Sequence, residues 1–111
     1  MDAFIFHRLA ARNLPHLKRR GVGYTTEVKG LLNSGRMTEA YLLQLLDDLR
    51  PGTTEIYFHP GCLPCDEITR RMPGYRHEEE LAALVSPSVI RKVKDKGLSL
   101  VNYRGEEKTV C

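Results

Sequence analysis

The stretch that decides the fold is Thr53-Thr54-Glu55-Ile56-Tyr57-Phe58-His59-Pro60-Gly61. It follows a Pro51-Gly52 break and reads as a short buried β-strand. Thr, Ile, Tyr and Phe favour a pleated surface, and the unbroken apolar run from Ile56 to Phe58 suits a strand covered on both faces. Pro60-Gly61 turns the chain directly after His59, which puts the imidazole at the carboxyl end of the strand. Parallel α/β folds, open or barrelled, place their chemistry at that end. Just beyond it, Cys62-Leu63-Pro64-Cys65 offers a second chemistry for the same place.

Composition narrows the classes. The 111 residues suit one domain with a modest core, and 41% hydrophobic with 28% charged residues is ordinary for a globular protein. The net charge of +3 is mild, and its densest basic stretches, Lys18-Arg19-Arg20 and Arg91 to Lys96, read as solvated helix faces, so no nucleic-acid partner is expected. No apolar run approaches the ~18 residues of a membrane span. The N-terminus lacks the basic and apolar regions of a signal peptide, and three cysteines, an odd number, fit a reducing compartment better than a disulfide framework. A cytoplasmic location is expected.

Outward from the central strand, helical and extended segments alternate. Phe4 to Arg20 leans helical, with a break expected at Asn13-Leu14-Pro15. Val22 to Thr26 is a candidate strand, and Lys29 to Gly35 reads as loop. Thr38 caps a clear amphipathic helix carrying Leu42, Leu45, Leu46 and Leu49, which Pro51-Gly52 stops. After an irregular loop to about Tyr75, Glu78-Glu79-Glu80 opens a helix expected to bury Leu81, Leu84 and Val85. Ser86-Pro87 starts another, with Val89, Ile90 and Val93 as its stripe and Gly97 as its left-handed stop. Leu98 to Val101 is a last strand, and residues 106–111 read as a flexible tail. The fold class is therefore α/β, with a small parallel sheet of about three strands joined by crossover helices. So thin a parallel sheet would leave apolar edges exposed, which points to self-association, as a homo-oligomer, or to a missing N-terminal half.

From Gly30 to Tyr103 the chain resembles the C-terminal part of YdjC-like carbohydrate deacetylases, and most of all the branch associated with hopanoid biosynthesis. The stretches that carry the resemblance are Ser34-Gly35-Arg36-Met37-Thr38-Glu39-Ala40, Gly52 to Gly61, Pro73 to Leu84, and Gly97 to Tyr103. The resemblance implies the last β/α units of a (β/α) barrel, a divalent metal, and hydrolysis of N-acetyl groups on an amino-sugar or glycolipid substrate. His59 matches the His-Pro-Gly position, which implies a general acid or an oxyanion stabiliser. Arg76 matches an arginine that would contact substrate, although a surface salt bridge explains it as well. Family members carry an Asp-Asp motif after their first strand and further histidines that complete the metal site. Asp47-Asp48 lies near the end of an amphipathic helix and reads as a solvated pair, so the metal site is expected to be missing from this chain and the chain alone to be inactive.

Other readings compete. Phe58 to Ile68 also resembles the strand, CxxC and helix start of thioredoxins and glutaredoxins, with Cys62 attacking and Cys65 resolving; the β-hairpin such a fold needs afterwards is not legible. His59, Cys62, Cys65 and Cys111 would suit a closed zinc site, though one CxxC is a weak signal. A non-catalytic, self-associating barrel fragment is the third possibility. His7, His16 and His77 show no ligand spacing and read as surface residues.

Overall fold

A computed structural model describes residues 3–109. The chain, read above as one domain, divides into two compact units: residues up to Leu32 with Pro51–Tyr57, and Asn33–Arg50 with Phe58 onward.

The first unit begins with helix α1 (Ala3–Arg19), which runs through Pro15 without the expected break. Proline removes one N–H and crowds the carbonyl four residues back, but the turns after it are tied down at the helix end. Arg20 N–H donates to His16 O at 3.3 Å, and Val22 N–H donates to Leu17 O at 3.0 Å. That second bond draws Val22 into the helix terminus, so the strand expected at 22–26 forms later, as β1 (Glu27–Lys29). It pairs in parallel with β2 (Thr54–Ile56), Val28 opposite Glu55. Thr26 N–H to Thr53 O at 2.7 Å and Tyr57 N–H to Lys29 O at 2.9 Å extend the ladder at its two ends. The α/β class holds, but among the described residues this sheet has two strands, not three. Nor is β2 covered on both faces: its residues are half-buried, and Tyr57 is 41% exposed.

The second unit holds the core. Helix α2 (Glu39–Asp47) starts where the sequence indicated, the Thr38 hydroxyl accepting from Tyr41 N–H, and buries Leu42, Leu45 and Leu46. A short helix α3 (Asp66–Arg71) occupies the stretch read as irregular loop, its Glu67 paired with Arg70 and Arg71 one turn on. Helices α4 (His77–Leu84) and α5 (Pro87–Asp95) both pack on α2. Met37, Ala83, Val89 and Val93 join the three leucines as the buried apolar core. Each leucine so buried contributes about 1.5–3 kcal/mol. Across α2 and α5, Lys92 Nζ donates to Leu43 O at 3.3 Å and to Asp47 at 2.6 Å. Asp47, expected as merely solvated, is therefore a bridge. The Lys92 hydrogen bond above all, aided by the charges of Lys92 and Lys96, holds its carboxyl below its ordinary value.

Gly97 stops α5 at φ +63, its N–H bonding Lys94 O while Leu98 N–H reaches Val93 O, a Schellman ending that a side chain at that φ would strain. The last strand, β3 (Leu100–Val101), does not join the parallel sheet. It pairs antiparallel with β4 (Glu107–Lys108) around a turn in which Asn102 Oδ1 accepts from Arg104 and Glu106 N–H. Part of the stretch read as a flexible tail is thus a hairpin strand, and residues 110–111 lie outside those described. No described helix is long and apolar enough to cross a membrane.

Candidate active site

His59 lies in the irregular stretch between β2 and α3. Such a segment has no ladder to satisfy its backbone, so its N–H and C=O groups need partners elsewhere. For His59 both come from side chains of one helix. Its N–H donates to Glu80 Oε1 at 2.9 Å, and its carbonyl oxygen lies 2.7 Å from His77 Nδ1. A carbonyl can only accept, so Nδ1 of His77 carries the proton, and the tautomer of that ring is fixed. His77 and Glu80 stand one turn apart on the same face of α4. They are 2% and 0% exposed.

The His59 ring is half-buried and meets the edge of Tyr75, with centroids 5.1 Å apart at 73°. Tyr75 also lies against His77, at 5.8 Å. Two backbone approaches close the arrangement. Gly61 N–H donates to His77 O at 3.2 Å, and Arg76 N–H donates to Gly35 O at 2.9 Å. Gly35 has φ +80, and a Cβ there would sit 2.6 Å from the Tyr75 ring. Only glycine lets the chain pass so close to that aromatic face. One oxygen of Glu80, Oε2, and one nitrogen of His77, Nε2, are buried with no hydrogen-bond partner among the described residues.

The sequence placed His59 at the carboxyl end of a strand, but β2 ends at Ile56 and His59 lies three residues further on, in the loop. His77, expected on the surface, is buried, and Glu80 carried no expected role. Leu84 and Val85, also expected to face inward, are 41% and 62% exposed, while His77, Glu80 and Ala83 are buried. The run Glu78-Glu79-Glu80 hid the one glutamate that points in. The available signal was spacing, since His77 and Glu80 fall one turn apart and share a face with Ala83.

The remaining candidates lie nearby in sequence. Arg76 precedes α4 with its guanidinium exposed and paired with Glu79 at 3.5 Å. Cys62 is exposed, and Cys65 is half-buried at the start of α3. Leu63 N–H donates to Glu78 Oε1 at 3.1 Å, so this segment too is tied to α4. Asp66 and Glu67 occupy the first turn of α3, so acidic neighbours stand where an activated thiolate would want positive charge. The redox reading gains no support. Among the described residues no group of three or more His, Cys, Asp or Glu side chains could hold a metal ion. The zinc set of His59, Cys62, Cys65 and Cys111 is not assembled there, and Cys111 lies outside the described residues. The described residues therefore do not by themselves fit the divalent metal that the resemblance implies.

Comparison with known proteins identifies the family. A family profile described as YdjC-like protein matches residues 3–95. That span takes in α1, ahead of the Gly30–Tyr103 stretch that first carried the likeness, and stops short of Gly97. A curated carbohydrate deacetylase of Clostridium beijerinckii (strain ATCC 51743 / NCIMB 8052) is 26% identical over 103 residues, covering 88% of this chain and 42% of that one. The chain thus spans less than half the length of this relative. No solved structure matches. With a profile covering most of its residues, the chain belongs to the YdjC-like family.

Proposed function

We propose that this chain contributes the His59 side of the active site in a metal-dependent carbohydrate deacetylase acting on N-acetylated amino sugars. The reading rests on family membership and on one observation: both backbone polar groups of His59 are held by buried side chains of α4. In the reaction, water adds to the acetamide carbonyl, the carbon–nitrogen bond of the tetrahedral intermediate breaks, and acetate and the free amine leave. The amine departs only when its nitrogen receives a proton. Histidine suits that transfer because an imidazole ordinarily titrates near neutral pH. His59 supplies the proton, or from the same position donates a hydrogen bond to the oxyanion. Arg76, directly before His77, is the position assigned to substrate contact. The divalent metal is held by the part of the family's length that this chain does not span, and the chain by itself is inactive.

The test is a chimera in which this chain replaces the aligned segment of the Clostridium beijerinckii relative. Acetate release from N-acetylglucosamine oligomers is then followed with and without added divalent metal. Turnover should fall about 10²–10⁴-fold in His59→Ala. His59→Gln separates the two roles, since an amide can donate a hydrogen bond but cannot give up a proton. Equal loss in both variants identifies proton transfer; substantial recovery in the glutamine variant identifies the oxyanion role. Unchanged turnover in both would refute the assignment, and activity from the unfused chain would refute the missing metal site.

A further inference from the structure

We infer that His77 and Glu80 are positioning residues whose shared task is to fix how His59 is presented. The inference rests on the proposed role of His59 for its functional meaning, but its geometry stands on its own. A loop backbone group normally finds water or a neighbouring backbone group as its partner. Here one loop residue takes two side chains, a carboxylate on its N–H and a ring N–H on its carbonyl, from positions one turn apart on α4. Both are buried, at 0% and 2% exposure.

A carboxylate and an imidazole are costly groups to bury, and a helix needing only an apolar face would carry leucines at these positions. Leu84 at the end of this helix and Val85 just after it are instead 41% and 62% exposed. Two bonds on opposite sides of one Cα fix the peptide planes that flank it, and with them the direction of the Cα–Cβ bond. Tyr75 then limits the imidazole's rotation from the side, edge to ring at 5.1 Å. Gly61 N–H on the His77 carbonyl and Arg76 N–H on the Gly35 carbonyl keep α4 itself in register with the loop. Small displacements of a proton donor are expensive in catalysis, so such bracing has a functional use.

Paired substitutions distinguish positioning from mere filling of space. In His77→Asn the amide nitrogen occupies the place of Nδ1 and can still donate to the His59 carbonyl. In His77→Gln the amide reaches towards the place of Nε2, and the donor to that carbonyl is lost. Glu80→Gln keeps an acceptor for the His59 N–H, whereas Glu80→Met keeps the length and removes it. Each is made in this chain, and the His59 amide and ring resonances are recorded by NMR, with circular dichroism to report folding. His77→Asn and Glu80→Gln should keep the wild-type His59 signals; His77→Gln and Glu80→Met should shift the amide and broaden or split the ring lines. In the chimera the same two disruptive variants should lower kcat about tenfold or more with little change in KM, and the conservative two should restore it. Indistinguishable His59 signals in the Asn and Gln variants at 77 would overturn the inference, whatever the chimera does. Should Glu80→Met fail to fold, the pair at position 77 decides alone. Inactivity of the wild-type chimera beside the expected NMR pattern would instead count against the proposed deacetylase role and leave the bracing in place.

Discussion

The two units of the chain solve the same problem in opposite ways. In the first, built on α1, β1 and β2, order comes from the backbone: a Schellman-type ending for α1 and a short parallel ladder, with no described apolar side chain fully buried. In the second, order comes from side chains: three leucines of α2, valines of α5, and the polar pair His77 and Glu80 of α4. The difference shows where the stability of the described chain resides. Strand β2 belongs to the first scheme, while His59, three residues past its end, belongs to the second.

Substitutions can break that contrast or make it sharper. Leu46→Ala, at a 4% exposed core position, should cost about 2–5 kcal/mol in urea unfolding, whereas Val28→Ala in β1, at 46% exposure, should stay within about 0.5 kcal/mol. Similar costs for the two would dissolve the contrast. Gly35→Ala combines a left-handed backbone, worth about 1–2 kcal/mol, with a Cβ pressed on the Tyr75 ring, worth about 1–3 kcal/mol more. Its thermal midpoint should fall accordingly, and the His59 ring signals should move with Tyr75. Glu80→Met leaves the His59 N–H without its acceptor and should destabilise by about 1–3 kcal/mol, while Glu80→Gln stays near wild type.

The smallest effect is at Asp47, whose bond to Lys92 joins α2 to α5 on the surface. Its carboxyl sits below the ordinary 3.8 in the folded chain, so the bridge stabilises above that pH and its contribution is lost as the pH falls through the lowered folded value. Asp47→Asn should abolish that part of the acid-side dependence and lose a small, salt-sensitive increment at neutral pH. Equal acid sensitivity in the variant would show that the bridge contributes nothing.

What the sequence made legible follows the same divide. Thr38 and Ser86 as caps, Pro87 at the first helical position and Gly97 as a stop were readable because each acts locally, through a backbone group within one turn. The leucine stripe of α2 was readable because a helix buried on one face repeats its apolar residues. The strands were not. Leu98 to Val101 has the composition of a parallel strand, yet residues 100 and 101 pair with 107 and 108, a choice set by the Asn102 turn. The apolar run Ile56 to Phe58 suggested cover on both faces, but in a two-stranded ribbon Tyr57 turns outward. Glu80 was hidden for a further reason. Its burial is repaid by a backbone N–H twenty-one positions earlier, and periodicity cannot anticipate a partner that lies in a loop.

Residue-resolved hydrogen exchange on the wild-type chain can separate the two schemes, because Tyr57 and His59 lie two positions apart on either side of the division. Both amides make a 2.9 Å hydrogen bond, Tyr57 to the Lys29 carbonyl and His59 to the Glu80 carboxylate. The His59 amide should exchange slowly, together with those of Leu45, Leu46 and Val93, and the Tyr57 amide should open earlier with β1. A Tyr57 amide as slow as that of His59, or slower, would contradict this order.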